Sequence, residues 1–275
     1  MRIVLSRKGF DSDAGGGASP VLPDGTMMSF PIPEPLADCA NPTRYDEIRC
    51  PGGGTLADVM TQLGVSARVL ADSAHLDPDL NDYARPRASG WRPAFGQSGP
   101  AASHLINQNV SRGDLFVFWG RFRHTEERSG QLRWRGQPFH AVFGWLWVGE
   151  IVRPSIDPTP PWMSDHPHVS APDRPRNTVY VAADRDGAGT VPWNDRRRLT
   201  APGATASRWR LPLECHPDRT GVELSYHKNR RRWSTDGDVL ALECVGRGQE
   251  FVVDAHPAWR RWLSATLPEA VRQGS

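Results

Sequence analysis

Residues His140–Val152 carry apolar side chains on both alternating faces. Ala141, Phe143, Trp145, Trp147 and Ile151 fall on one face, and Val142, Leu146 and Val148 on the other. Successive side chains of a strand point to opposite sides, so a strand apolar on both has to be covered on both. This segment therefore belongs at the centre of a covered sheet. Glycine and proline together supply 51 of the 275 residues. That share implies many turns and short elements and weighs against a helical bundle or coiled coil. A chain of this length can bury a sizeable core without disulfide or metal staples.

Other segments fit the same plan. Residues 2–5 and Leu115–Trp119 read as buried strands, and a second short strand is expected near Thr26–Ile32. Thr178–Ala182, Trp209–Leu213, Val239–Glu243 and Glu250–Asp254 read as further strands. The clearest helix runs from Thr55 to Leu63: Thr55 can cap it, Leu56, Val59, Met60 and Leu63 follow helical spacing, and Gly64 stops it. A second helix opens at Gly96–Pro100 and runs to about Gln108, and Pro257–Leu267 reads as an amphipathic closing helix. Residues 153–176 hold seven prolines and read as loop. No internal repeat or linker composition divides the chain. The expected fold is a single α+β domain over residues 1–275, strand-rich, with a central covered mixed sheet and few helices.

Net charge is +2, which excludes a simple polycationic nucleic-acid binder. Only Lys8 and Lys228 are lysines among the 33 basic residues. Cys39, Cys50, Cys215 and Cys244 form no C-x-x-C pair, so neither a zinc ribbon nor a disulfide framework is indicated. No apolar run is long enough to cross a membrane, and the first residues lack the apolar stretch of a signal peptide. A cytoplasmic protein without a membrane partner is the expectation.

Four constellations carry candidate chemistry. Lys8, Phe10, Asp11 and Asp13 follow the first strand and lead into Gly15–Gly17, with Asp24 beyond. Carboxylates at the carboxyl end of a buried strand sit where ligands commonly bind, and a glycine-rich loop lets backbone N–H groups approach a phosphate. Lys8 is expected to share a pocket with Asp11 as a compact amine. Asp165, His166 and His168 form a proline-fixed cluster that suits acid–base work or contact with substrate. Two histidines with no third ligand at a defined spacing make a poor metal signal, so no metal is expected. Tyr226 and His227 lie side by side on an expected strand, where one can face a pocket. Gln97 and Gln249 sit in glycine-flanked segments, the former at a helix start that could hold an anion. No Walker loop and no G-x-G-x-x-G occurs, so no cofactor of those types is expected. The fourth constellation interleaves arginine with tryptophan. Arg121, Arg123, Arg133 and Arg135 surround Trp119 and Trp134, and Lys228, Arg230, Arg231 and Arg232 abut Trp233. Such dense local positives on a near-neutral chain suit a DNA-facing surface.

Several strings taken together resemble one family: Ser6–Ser12, Pro23–Gly25, His75–Leu80, Phe95–Gln97, Gly113–Phe118, His140–Ile151, Asp165–Val169, Leu224–His227 and Gly246–Val252. The chain is similar, over about residues 2–254, to the third of the nucleotide modification associated domains. The resemblance implies work in pathways that make, read or remove hypermodified bases in phage and bacterial DNA, and it implies no particular reaction. Reaching a base in duplex DNA requires flipping it out between stacking and clamping side chains. Of the reactions in that setting, hydrolysis of the base–deoxyribose bond needs the least apparatus. The expectation is a DNA glycosylase that removes a modified base, a sugar-decorated one included, with antiphage defence as its setting. Asp11, Lys8, Asp13 and Asp24 are its candidate catalytic groups, with Asp11 first. The alternatives are a non-catalytic reader of modified DNA and an enzyme that builds the modification.

Overall fold

A computed structural model describes residues 1–246 and 248–273, so Arg247, in the turn before Gln249, lies outside the described residues. The strands are β1 (Arg2–Arg7), β2 (Ser19–Val21), β3 (Ile32–Glu34), β4 (Ser73–His75), β5 (Ala94–Gln97), β6 (Leu115–Arg128), β7 (Gln131–Val152), β8 (Thr178–Ala182), β9 (Ala188–Thr190), β10 (Arg208–Pro212), β11 (Trp233–Asp236), β12 (Val239–Glu243) and β13 (Glu250–Asp254). The helices are α1 (Leu56–Gln62), α2 (Ala67–Ala71), α3 (Gly99–Asn107), α4 (Pro167–Ser170), α5 (Pro217–Thr220), α6 (Pro257–Thr266) and α7 (Pro268–Gln273). The fold is α+β.

The main sheet runs β13-β1-β6-β7-β8-β5, with β2 added to the far part of β6 and β9 to β7. It is mixed: β1 pairs parallel to β6 and antiparallel to β13. The sheet curls until its two ends meet, and Gln97 on β5 donates a hydrogen bond of 2.7 Å to Glu250 on β13.

Period-two alternation separates the two sides of this curl. Ile3 and Leu5 of β1 and Phe251 and Val253 of β13 point outward into a core shared with β10–β12 and α6. Val4 and Val252 point into the curl against Phe95, Phe116, Phe118 and Tyr180. The same inward face continues from Val4 to Ser6 and Lys8, and from Val252 back to Glu250. Ser6 and Glu250 are direct cross-strand partners. The interior thus turns from apolar to polar at one end of the curl, and that end is where the site lies.

The central strand is covered on both faces as its sequence demands, but its alternation is not continuous. A register shift sets Phe118 opposite Gly144 and Trp119 opposite Val142, leaving Phe143 unpaired between them. The bulge keeps Ala141 and Phe143 inside with Leu146 and Val148, while Val142 and Trp145 face the outer core. The first helix follows its sequence signals closely: Thr55 and Asp58 form a reciprocal capping box, and Leu56 and Met60 are buried. The strand expected near Thr26–Ile32 is displaced. Residues 22–31 are loop, and pairing is made by Ser19–Val21 and Ile32–Glu34 on either side. The proline-rich 153–176 stretch is loop apart from one turn of 3-10 helix at Pro161–Met163 and the four-residue α4.

Candidate active site

A pocket of about 640 Å³ opens at the polar end of the curl. Its floor is built from β1, β5 and β13. Glu250 is fully buried, and its Oε1 accepts from Ser6 Oγ (3.1 Å), Lys8 Nζ (3.1 Å) and Gln97 Nε2 (2.7 Å). Its other oxygen, Oε2, is buried without a hydrogen-bond partner. The Lys8 ammonium also lies over the Phe95 ring, 4.2 Å from its centroid. The amino end of α3 forms another wall, where Ser98 is the N-cap and makes no side-chain cap bond. The first turn of α3 leaves little for an anion: Gly99 N–H donates to Pro175 O at 2.6 Å, Ser98 N–H donates to Gln97 Oε1 at 3.1 Å, and Pro100 has no N–H.

The side of the pocket away from Glu250 is a cluster of imidazoles and carboxylates. His75 and Asp77, two residues apart, come from the end of β4, and His168 comes from α4. His75 Nε2 and His168 Nε2 lie 3.9 and 3.8 Å from Asp77 Oδ2. His75 Nδ1 is 2.9 Å from Glu34 Oε2, and Glu34 also pairs with Arg174. Burial by itself raises the Glu34 carboxyl, but the bonds and charges of His75 and Arg174 outweigh it and bring its pKa down to about 2. Burial takes the His168 imidazole down to about 3, so it is neutral. For Asp77 the desolvation is overcome chiefly by the His166 imidazole, whose Nε2 stands 3.5 Å from Oδ1, and the carboxyl is lowered below its usual range. Gly96 makes room for this cluster: a Cβ on it would stand 2.3 Å from His168 Cγ.

Of the residues singled out in the sequence, the structure brings Lys8, Asp11, Gln97, His168, Tyr226 and Gln249 into this one pocket. Lys8 and Asp11 share it without pairing; the lysine's partner is Glu250. Asp11 closes a turn, its Oδ1 accepting from the backbone N–H groups of Asp13 and Ala14 at 2.8 Å each. Its Oδ2 stands 3.7 Å from Arg7 Nη1.

The rest of the expected set is corrected. Asp13 and Asp24 are exposed and do not line the pocket; Asp24 caps its own turn through Thr26 N–H. Phe10 is core, edge-on to Phe30. The glycine at position 15 is required by that packing, since a Cβ there would lie 2.4 Å from the Phe10 ring. Asp165 sits outside the pocket, 3.3 Å from Arg85. His166 is buried behind His168, its Nδ1 accepting from the His168 N–H. The Tyr226–His227 pair is a turn and not a strand.

His227 serves the fold. It is fully buried, its Nδ1 bonds Ser225 O at 3.0 Å, and its Nε2 accepts from Val245 N–H at 3.2 Å. Burial lowers its pKa from 6.5 to about 4. The unfolded chain therefore binds this proton first, and stability present above pH 6.5 is lost as pH falls toward 4. The expected loss from this group is roughly 2 kcal/mol by pH 5. Denaturant midpoints between pH 7 and 5 should fall for the wild type and flatten for His227→Gln; parallel curves would remove the assignment.

The arginine surface also differs from its expectation. Trp119 is buried and cannot stack on a base, and Trp134 donates its N–H to Leu63 O beneath Arg123. Arg123 bonds Gly136 O, Arg121 is half-buried, and Arg230 is held by Asp218 and Glu223. Arg232 reaches Glu243 O. Arg133 and Arg135 on the outer part of the β6–β7 hairpin are exposed, as are Lys228 and Arg231 just beyond Tyr226.

Glu34, His75, Asp77, Arg174 and Glu250 were not among the candidates. His75-x-Asp77 on an extended segment puts two ligand-type side chains on one face and was readable as such. Glu250 gave no such sign, because it looks like the polar start of a strand.

A family model described as nucleotide modification associated domain 3 matches residues 2–254. The chain belongs to that family. Nothing among curated proteins and nothing among solved structures matches it. The pocket therefore belongs to a nucleotide modification associated domain 3, and every residue described around it falls within the matched span. No helix among the described residues is long and apolar enough to cross a membrane.

Proposed function

We propose that this protein is a DNA glycosylase that hydrolyses the N-glycosidic bond of a modified base in DNA. The observation that carries the reading is Glu250: one carboxylate oxygen is held by three donors, and the other has no partner, at the floor of a pocket large enough for a nucleotide. A carboxylate fixed in this way beneath the pocket can oppose, through space, the positive charge that builds on the sugar as the base departs. This moves the first catalytic assignment from Asp11 to Glu250, with Lys8 as its ion-pair partner and Asp11 on the wall. Lys8 and Gln97 fix the carboxylate's orientation.

Tyr226 supports an extruded base. It is 46% exposed at the pocket edge and is held at a φ of +64°, a left-handed conformation uncommon for an aromatic residue. Its ring packs on His104 at 4.4 Å between centroids and meets Phe251 edge-on, and its exposed part is the surface on which a base would stack.

The test is incubation of the purified protein with hypermodified phage DNA, followed by mass analysis of released bases and probing for abasic sites. Base release with matching abasic sites is the expected outcome. Binding without product would select the reader, and dependence on a nucleotide-sugar donor would select an enzyme that builds the modification. Affinity for DNA is expected to fall steeply with salt. Each phosphate contact removed by Arg133→Ala, Arg135→Ala, Lys228→Ala or Arg231→Ala should flatten the slope of log K against log salt by roughly 0.9. Unchanged slopes in all four would make these ordinary solvated side chains.

A further inference from the structure

We infer that His75, Asp77 and His168 form a binding site for one divalent transition-metal ion of the zinc and iron(II) class, set in the pocket wall. The three side chains place one nitrogen or oxygen each within 4.8 Å of one another. An ion bound at about 2.0–2.2 Å requires pairs of donors no more than roughly 4.2 Å apart. The two His–Asp separations, 3.8 and 3.9 Å, already satisfy this. Two imidazoles and one carboxylate are a donor set for a transition metal, not for magnesium or calcium, which prefer oxygen.

The ring nitrogens are set for the purpose by their other partners. His168 Nδ1 is 2.7 Å from Asn177 Oδ1. The Asn177 amide nitrogen is committed to the His168 backbone carbonyl at 2.6 Å, which fixes its oxygen toward the ring. His168 therefore carries its proton on Nδ1 and turns a lone pair on Nε2 toward Asp77. Glu34 plays the same part for His75, accepting from Nδ1–H and freeing Nε2. Asp77 Oδ1 accepts from Gly96 N–H at 2.7 Å, leaving Oδ2 to the two imidazoles. Each of the three donors is thus oriented by a group that faces away from the proposed ion, the arrangement that raises ligand basicity and fixes geometry in metal sites.

A separate observation points to the same place. His166 is buried, and its Nε2 has no hydrogen-bond partner although it lies 3.5 Å from Asp77 Oδ1. With Nδ1 already accepting from the His168 N–H, Nε2 is the protonated nitrogen and is aimed at the carboxylate. A cation on the opposite oxygen draws Asp77 and His168 together and gives this crowded cluster the charge it lacks.

The site stands or falls without reference to base release. The protein stripped with chelator is titrated with Zn²⁺ in the absence of DNA, with bound metal counted after gel filtration and binding followed by calorimetry. Co²⁺ is used as a second probe, its visible absorption reporting nitrogen and oxygen ligands. One equivalent of Zn²⁺ per chain is expected. Binding should weaken at least 100-fold in Asp77→Asn and in the His75→Ala, His168→Ala double variant, and by about 10–100-fold in Asn177→Ala. His216→Ala, away from the pocket, should bind as the wild type does. Folded wild type that retains no stoichiometric metal overturns the assignment without any variant. So does uptake unchanged by loss of both histidines. Metal bound normally by a protein that releases no base counts against the proposed reaction and leaves the ion site in place.

Discussion

Glu250→Gln is expected to reduce base release at least a hundredfold while leaving the pocket's shape intact. Glutamine has the same outline and keeps an oxygen for the Ser6, Lys8 and Gln97 donors, but it removes the charge that faces the reacting sugar. A hundredfold loss corresponds to about 2.7 kcal/mol of transition-state stabilisation. The substitution also strips Lys8 of its carboxylate, and a buried pair broken on one side costs about 3–5 kcal/mol of stability. The two effects are separated by Lys8→Met combined with Glu250→Gln, in which no buried charge is left unpaired. The double variant should regain most of the stability lost in Glu250→Gln and none of the activity. Its thermal midpoint and base release are measured together. Activity that returns with stability would show Glu250 to be a structural carboxylate, and the catalytic assignment would then pass to Asp11.

Trp209→Ala is expected to cost about 3–5 kcal/mol, the largest stability effect of any single truncation considered. Trp209 is fully buried on β10, where it joins the small sheet to the main one. Its ring meets Trp119 edge-on at 4.7 Å, and its N–H donates to His140 Nδ1 at 2.9 Å. Alanine loses the edge-on contact and the hydrogen bond together and leaves a cavity between two layers that cannot close without moving a sheet. For a chain of this size the thermal midpoint should fall by roughly 6–20 °C. A shift of less than about 2 °C in calorimetry would mean that the interface between the sheets repacks and that the tryptophan pair is not what holds it.

Local sequence was sufficient wherever one element decides its own state. The two-faced apolar run at 140–152 had to be a covered central strand, and Thr55–Leu63, with its cap, its apolar spacing and its glycine stop, had to be a helix. Both follow from periodicity and end chemistry within a dozen residues. Lys8 drew notice for a similar reason, as a lone lysine at the end of a buried strand.

What the sequence could not show is which polar groups meet. The bulge at Phe143 depends on how β7 pairs with β6, and it changes which face each tryptophan occupies. Glu250 is 242 residues from Lys8, and they touch only because β13 pairs with β1 and the curled sheet returns β5 to close against it. His75 and Asp77 meet His168 across some 90 residues, through a strand end, a four-residue helix and the absence of a side chain at Gly96. Asp13 and Asp24, in contrast, looked like chemistry and are turn residues in solvent. A carboxylate's spacing to its sequence neighbours sets only its local turn. Its burial and its partners are set by strands that come together from opposite ends of the chain, and in this protein those strands decide where the site is.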